Sequence, residues 1–242
     1  MLGFFHVTVY QPLYNILVFL YNIVPGGDFG ISIILLTILI RVALIPLYKK
    51  QIESQKKMQE LQPKIKELQA RVKDKEQQTK QMMELYKTHK TNPFSGCLPL
   101  VVQMVFLIAI YQVLIRVSGN GSGLVIDASE LYSFVANPGT IDKFFISLVD
   151  LTKPNYVFAV LAAIAQYFQT KLLMKSQPQP EKKDPDGKPD FAQMMSKQML
   201  YIGPFLTLFI GIKFPAGLSL YWLTGTLFML IQQILIEKKS KS

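Results

Sequence analysis

The hydrophobic residues of this chain are grouped rather than interleaved, and that grouping constrains the fold more than any other feature. Half of the 242 residues are hydrophobic, and they fall in long apolar blocks separated by blocks rich in Lys, Glu and Gln. A continuous apolar stretch of roughly 20 residues, coiled as an α-helix, matches a hydrocarbon layer about 30 Å thick. The chain is therefore read as an all-α polytopic membrane protein, with a core of five transmembrane helices and a cytoplasmic helical hairpin.

Charge orients the spans. The net charge is +10. Lys and Arg are abundant between Lys49 and Lys90, recur from Lys171 to Lys197 and return at Lys238, Lys239 and Lys241, while the chain before Gly30 has none. Basic residues collect in cytoplasmic loops, so the pattern predicts an N-terminus outside, a long basic loop inside and a C-terminus inside, and five crossings satisfy it. Anionic lipid is the matching surface partner. The single cysteine, Cys97, excludes an internal disulfide framework. Met1 to Phe5 carries no basic residue and nothing there reads as a cleavable signal; a processed form, or insertion through the first span, is expected.

Along the chain the reading is as follows. Residues 1–28 form an outer interfacial helix: Val7 to Ile23 is apolar but broken by Gln11, Tyr14, Asn15, Tyr21 and Asn22, with its tyrosines at headgroup depth. A true span is the weaker alternative, and Pro25-Gly26-Gly27 ends the segment in either case. Transmembrane helix 1 covers 29–50, with a kink expected at Pro46. Residues 51–92 are a helical hairpin in which Leu61, Ile65, Leu68 and Val72 make one apolar stripe, and a second helix covers Gln77 to Tyr86. The plainer alternative for this hairpin is a solvated coiled coil that only joins two spans. Transmembrane helix 2 covers 97–116. An outer segment, 117–154, contains two apolar pieces, Leu131 to Val135 and Phe144 to Leu151, both too short to span and expected at the surface or as short packing helices. Transmembrane helix 3 covers 155–174, a mobile cytoplasmic linker 175–197, a short transmembrane helix 4 with a bend at Gly203-Pro204 covers 198–212, an outer turn 213–217, transmembrane helix 5 218–236 and a cytoplasmic tail 237–242.

One residue does not belong in its span. Arg41 sits in apolar sequence about 10 Å inside the inner end of transmembrane helix 1 at 1.5 Å per residue. Holding a guanidinium there costs on the order of 3 kcal/mol on insertion scales, and no acidic residue occurs within a span to neutralise it. Water is the expected solvation, with snorkelling to the inner surface as the alternative. Thr37 lies one turn away on the same face. Gln103, Gln166, Gln169 and Gln232 are polar residues within or near spans that either line a shared wet cavity or hydrogen-bond a neighbouring helix. A positive, hydrated cavity in the inner half of the bilayer attracts an acidic or polar segment of an entering chain and shortens the apolar distance that segment crosses.

Enzyme chemistry has no residues to rest on. There is no phosphate-binding Gly-rich loop with a Lys-Ser or Lys-Thr pair. The two histidines, His6 and His89, lie on opposite sides of the predicted membrane and share no metal or proton-relay site. No catalytic residue, metal or cofactor is expected. The aromatic residues lie in membrane segments and are not interleaved with the basic patch, which argues against nucleic acid, and DNA in particular, as a partner.

Three stretches resemble one family. Thr37-Ile38-Leu39-Ile40-Arg41, with Pro46-Leu47 and Leu61-Gln62-Pro63-Lys64-Ile65, is similar to the first core span and hairpin of the YidC membrane protein insertases. Asn92-Pro93-Phe94-Ser95-Gly96-Cys97-Leu98-Pro99 resembles the start of that family's second core span, and Phe214-Pro215-Ala216-Gly217-Leu218-Ser219-Leu220-Tyr221-Trp222 its last outer turn and final span. The layout resembles compact bacterial members without the large outer domain.

The resemblance implies a groove open to cytosol and lipid but closed outside, lined by Thr37 and Arg41 with Trp222 as an aromatic substrate contact. It also implies a bacterial plasma-membrane location, a role in inserting and folding nascent membrane proteins, and no covalent catalysis or nucleotide hydrolysis. The hairpin, with Lys56, Lys57, Lys64, Lys66, Arg71 and Lys73, is the expected recruitment surface for substrate, ribosome, signal recognition particle or Sec translocon. A small channel or transporter, or a lipid scramblase using the same groove, are the competing readings.

Overall fold

The computed structural model describes residues 2–72, 74–89, 91, 98–117, 124–175 and 191–241. Helix dominates: α1 (Leu2–Phe5), a π-helical turn (His6–Tyr10), α2 (Gln11–Ile23), α3 (Phe29–Ala43), α4 (Ile45–Arg71), α5 (Lys75–Thr88), α6 (Leu98–Val117), α7 (Tyr156–Lys175), α8 (Phe191–Lys213) and α9 (Ala216–Lys241). Asn92 to Cys97 of the second motif, Lys73 and most of the predicted linker lie outside the described residues.

By length and composition, Tyr156–Met174 and Ala216–Ile236 are each able to cross a bilayer, and the bent pair Phe29–Ala43 with Ile45–Ser54 makes a third candidate. Val101–Ile115 and Leu200–Lys213 are shorter apolar stretches. Helix α7 packs on α8 and α9, and α3 packs between α9 and α2. Small residues permit the close approaches: Ala159, Ala162 and Ala165 recur every third position on the buried face of α7, and a Cβ at Gly211 would stand 2.7 Å from that of Ala159.

The kink expected at Pro46 is present. Proline lacks an N–H, and its ring collides with the carbonyl four residues back, so the helix breaks at Leu44 and bends by 56°. Beyond the bend α4 continues without interruption to Arg71, so no element boundary separates the predicted span from the predicted hairpin. Its partner α5 is longer than the Gln77 to Tyr86 expected. Asp74 caps α5 by accepting from the Glu76 N–H at 3.0 Å. Gln78 Nε2 donates to the Gln69 and Val72 carbonyls, each at 3.2 Å, tying the two helices across their turn. Leu61 of the apolar stripe is buried; Ile65, Leu68 and Val72 are half-buried.

Two other boundaries differ from expectation. Helix α8 begins at Phe191, before its apolar portion, and continues through Pro204, because the polar residues ahead of Met199 are adequate helix formers that hydropathy alone does not register. The two apolar pieces of the 124–155 segment are not helices. β1 (Leu124–Val125) pairs antiparallel with β2 (Thr140–Ile141), and β3 (Phe144–Phe145) with β4 (Val149–Asp150), while Leu131 to Val135 is a turn after a 3-10 turn at Ala128–Glu130. Asn, Asp, Gly and Pro punctuate this stretch too often for a helix to propagate.

The 124–155 segment also absorbs the polar residues of the N-terminal helices. Tyr14 Oη accepts from the Asp127 N–H at 2.8 Å and Tyr21 Oη from the Asp142 N–H at 3.0 Å. Asn15 donates to the Glu130 carbonyl at 2.8 Å and accepts from the Tyr132 N–H at 2.6 Å. Tyr10 and Tyr14 are thus buried against the protein, while Phe4, Val7, Phe19 and Ile23 are exposed. The core lies here, where Tyr14, Leu17, Ile33, Leu36, Ile110, Leu114 and Leu218 meet Ile126, Ile141 and Leu151.

Candidate functional site

Arg41 occupies the last turn of α3, just before the bend. Its guanidinium reaches two other helices: Nη1 donates to Met229 Sδ on α9 at 3.3 Å, and Nη2 donates to Gln103 Oε1 on α6. Tyr221, on α9, is fully buried. Along α9, Tyr221, Gly225 and Met229 follow at intervals of four, so they form one stripe facing the arginine. Gly225 completes the fit, since a Cβ there would stand 2.8 Å from Arg41 Nη2 and 3.1 Å from Nε.

The bend opens a cleft beside this cluster. Leu44, Leu47, Tyr48 and Gln51 supply one wall from a single face of the bent helix, and Arg41, Val102, Met229 and Gln232 line the remainder, around about 410 Å³ including the open mouth. The opposite end of the bundle is packed: Ile33, Ile110, Val113 and Leu114 are at most 1% exposed, and Gly217 abuts Leu114, where a Cβ would stand 2.9 Å from Cδ2. The cavity is therefore one-sided.

Its polar capacity exceeds its internal bonding. Gln103 Nε2, beside Arg41, and Gln232 Nε2 are buried without a hydrogen-bond partner among the described residues. Arg41 has only neutral acceptors there, an amide oxygen and a thioether, and thioether sulfur is a weak one. Such a site offers N–H donors and positive charge to an incoming oxygen ligand. Among the described residues, no group of three His, Cys, Asp or Glu side chains could hold a metal ion.

The comparisons with known proteins bear on what this cleft belongs to. Residues 19–242 match the family described as "60Kd inner membrane protein". The chain is 37% identical to the membrane protein insertase YidC of Fusobacterium nucleatum, over 96% of this chain and 98% of that protein. The chain belongs to the YidC family. It is 34% identical to the membrane protein insertase MisCA of Bacillus subtilis, over 97% of this chain and 79% of that one. A crystal structure of an active YidC insertase with its first transmembrane domain resolved matches with a TM-score of 0.55 and 26% identity, over 93% of this chain and 45% of the crystallised one. The chain therefore spans less than half the length of that crystallised protein.

Within this YidC-family framework the predicted groove residues divide. Arg41 and Gln103 are in direct contact, and Gln169 joins them through Met229, its Nε2 lying 3.6 Å from Sδ. Gln232 lines the cleft. Trp222 and Gln166 form a separate pair, Trp222 Nε1 donating to Gln166 Oε1 at 3.3 Å, and Trp222 borders a smaller cavity of about 180 Å³ with Ala162, Thr207, Gly211 and Ser219. Thr37 is buried and donates its hydroxyl to the Ile33 carbonyl at 2.6 Å, so that hydroxyl is committed to its own helix. Of the basic residues, Lys57, Lys64 and Arg71 are exposed on α4, and Lys64 Nζ lies 2.9 Å from His89 Nε2. Lys73 and the side chains of Lys56 and Lys66 lie outside the described residues.

Sequence reasoning missed Gly225, Met229 and Gln51. An isolated glycine within a helix weakens it by roughly 0.5–1 kcal/mol relative to alanine and signals a close approach, so Gly225 carried a readable mark. Met229 carried none, because methionine in a span is ordinary apolar filling. Gln51 reads as the first polar residue past the membrane, and only the bend turns it inward.

Proposed function

We propose that this chain is a membrane protein insertase and folding chaperone for nascent membrane proteins, working through the cleft at Arg41 without covalent catalysis. The observation that carries the reading is a guanidinium held by neutral acceptors in a cleft closed at one end. A cation in that setting is under-solvated and attracts anionic or polar groups more strongly than it would in water. An acidic residue in the leading part of a substrate would replace the Met229 thioether on Nη1 by a charge-assisted bond, roughly twice as strong as a neutral one. Unpaired amide donors at Gln103 and Gln232 would hydrate or bind the backbone carbonyls that follow. The apolar remainder of the segment would then move sideways into lipid.

In this reading five helices cross the bilayer, α3 with the start of α4, α6, α7, α8 and α9, with the N-terminus outside and the C-terminus in the cytoplasm of a bacterial cell. The distribution of basic residues and the apolar stretches support it. The cleft then opens to the cytosol, and α4 with α5 stands there as the recruitment arm, its exposed Lys57, Lys64 and Arg71 suited to ribosome, signal recognition particle, Sec translocon or anionic lipid.

Insertion of a short, N-out single-span protein with an acidic leader into proteoliposomes containing only this purified protein tests the proposal. Protease-protected product that falls in Arg41→Ala supports insertion through the cleft. Well-folded wild type that yields none would refute autonomous insertion.

A further inference from the structure

Gly225 lies in the interior of α9, in an uninterrupted helix, and it is not among the glycines with positive φ. Glycine is therefore not required there for backbone conformation. What requires it is space: the three atoms nearest a Cβ at this position are Nη2, Nε and Cζ of Arg41, at 2.8, 3.1 and 3.4 Å. The other tightly packed glycines of the bundle meet apolar or neutral groups, Gly30 against Phe145, Gly211 against Ala159 and Ser219, Gly217 against Leu114 and Ile33. Among the described glycines, Gly225 alone is kept bare by a charged side chain.

We infer that Gly225 is a specificity-determining positioning residue: by giving up its side chain it lets the planar guanidinium lie flat on α9, where Arg41 reaches Gln103 and Met229 together and faces the cleft. The inference rests on the insertase reading and extends it from the charge itself to the surface that aims the charge. A methyl group at 2.8 Å cannot coexist with this arrangement. The atom that yields is the free end of a flexible side chain rather than backbone, so the helix accommodates alanine and the guanidinium is driven off its acceptors. Lysine has no planar head to lay on the helix, so an ammonium at position 41 does not need the bare surface.

The test compares insertion of an acidic-leader and a neutral-leader single-span substrate into proteoliposomes for wild type, R41A, R41K, G225A, G225A/R41A and G225A/R41K. In the wild-type background, G225A lowers the acidic-to-neutral ratio by about five- to tenfold, the scale of one lost hydrogen bond. In the R41A background it changes that ratio no further, and G225A/R41K returns to the ratio of R41K alone. A wild-type ratio in G225A, or an equal drop in the R41A background, overturns the inference. If G225A fails to fold but G225A/R41K folds, the collision is with the arginine head and the inference stands; if neither folds, the glycine serves general packing and the inference falls. A wild-type ratio in R41A itself would instead overturn the charge-based insertase reading, whatever Gly225 does.

Discussion

The Asp28 carboxylate accepts the backbone N–H of Ile146 at 2.6 Å through Oδ2, while its Oδ1 accepts from the Ile31 N–H at 2.8 Å. One side chain thus caps α3 and fastens the β3–β4 turn to it. That turn carries the two non-glycine residues with positive φ among those described, Ile146 at 50° and Ser147 at 57°, a conformation costing roughly 1–2 kcal/mol per residue. Phe145 packs on the bare backbone of Gly30 beside it. Replacing Asp28 with alanine is expected to destabilise the protein by about 2 kcal/mol, one part for the lost cap and one for the lost turn bond. Ser147→Gly is expected to stabilise it by about 0.5–1 kcal/mol. Unfolding curves in detergent micelles measure both.

Tyr14 holds the 124–155 segment through the Asp127 N–H, and burial pushes its hydroxyl up to about 12 from an ordinary 10.0. A folded value above the unfolded one means that the native state keeps its proton longer. The contribution is therefore complete below pH 10 and is lost as pH rises from there toward about 12. Hydrogen exchange in the segment is expected to accelerate across that window in the wild type. In Tyr14→Phe it is faster at neutral pH, because the Asp127 N–H loses its acceptor, and this part of the alkaline dependence disappears.

The acid side is governed by Asp150. Burial alone would raise its carboxyl, but bonds from the Thr152 hydroxyl and N–H, at 2.6 and 3.0 Å, together with Lys143 at 3.3 Å, hold it below the ordinary carboxylate value. Its contribution is present above pH 3.8, the unfolded value, and is lost as pH falls through the lower folded one. Asp150→Asn is expected to flatten the acid limb of an unfolding-midpoint profile and to lower the plateau at neutral pH.

Trp222 and Gln166 are expected to act as a unit. Trp222→Phe and Gln166→Leu each remove the same hydrogen bond, worth about 0.6 kcal/mol on the average for interhelical polar pairs in membranes. The double variant should therefore be less destabilised than the sum of the singles by about that amount. Additive losses in a thermal double-mutant cycle would mean that the indole N–H bonds elsewhere.

The family, and the fact that Arg41 needs solvation or a partner, were legible in the sequence for a simple reason. An arginine in an apolar span is expensive enough that its presence implies solvation, and the motifs around Arg41, Leu61 to Ile65 and Phe214 to Trp222 are local strings whose order survives without coordinates. The kink at Pro46 was equally local, since it follows from proline's own ring and missing N–H, although α4 and α8 run on through Pro63 and Pro204. What the tertiary structure alone decided were relationships between distant positions. Hydropathy does not say that Tyr14, Asn15 and Tyr21 satisfy backbone groups more than a hundred residues away, because a polar side chain reads the same whether its partner is water or protein. Nor does it distinguish Thr37, bonded within its own helix, from Gln103, which accepts across from Arg41 on α3. Gly225 shows the difference most plainly: within the string Thr224-Gly225-Thr226 it is a weak point in a helix, and only the packing of α3 on α9 makes its missing side chain the seat of a charge.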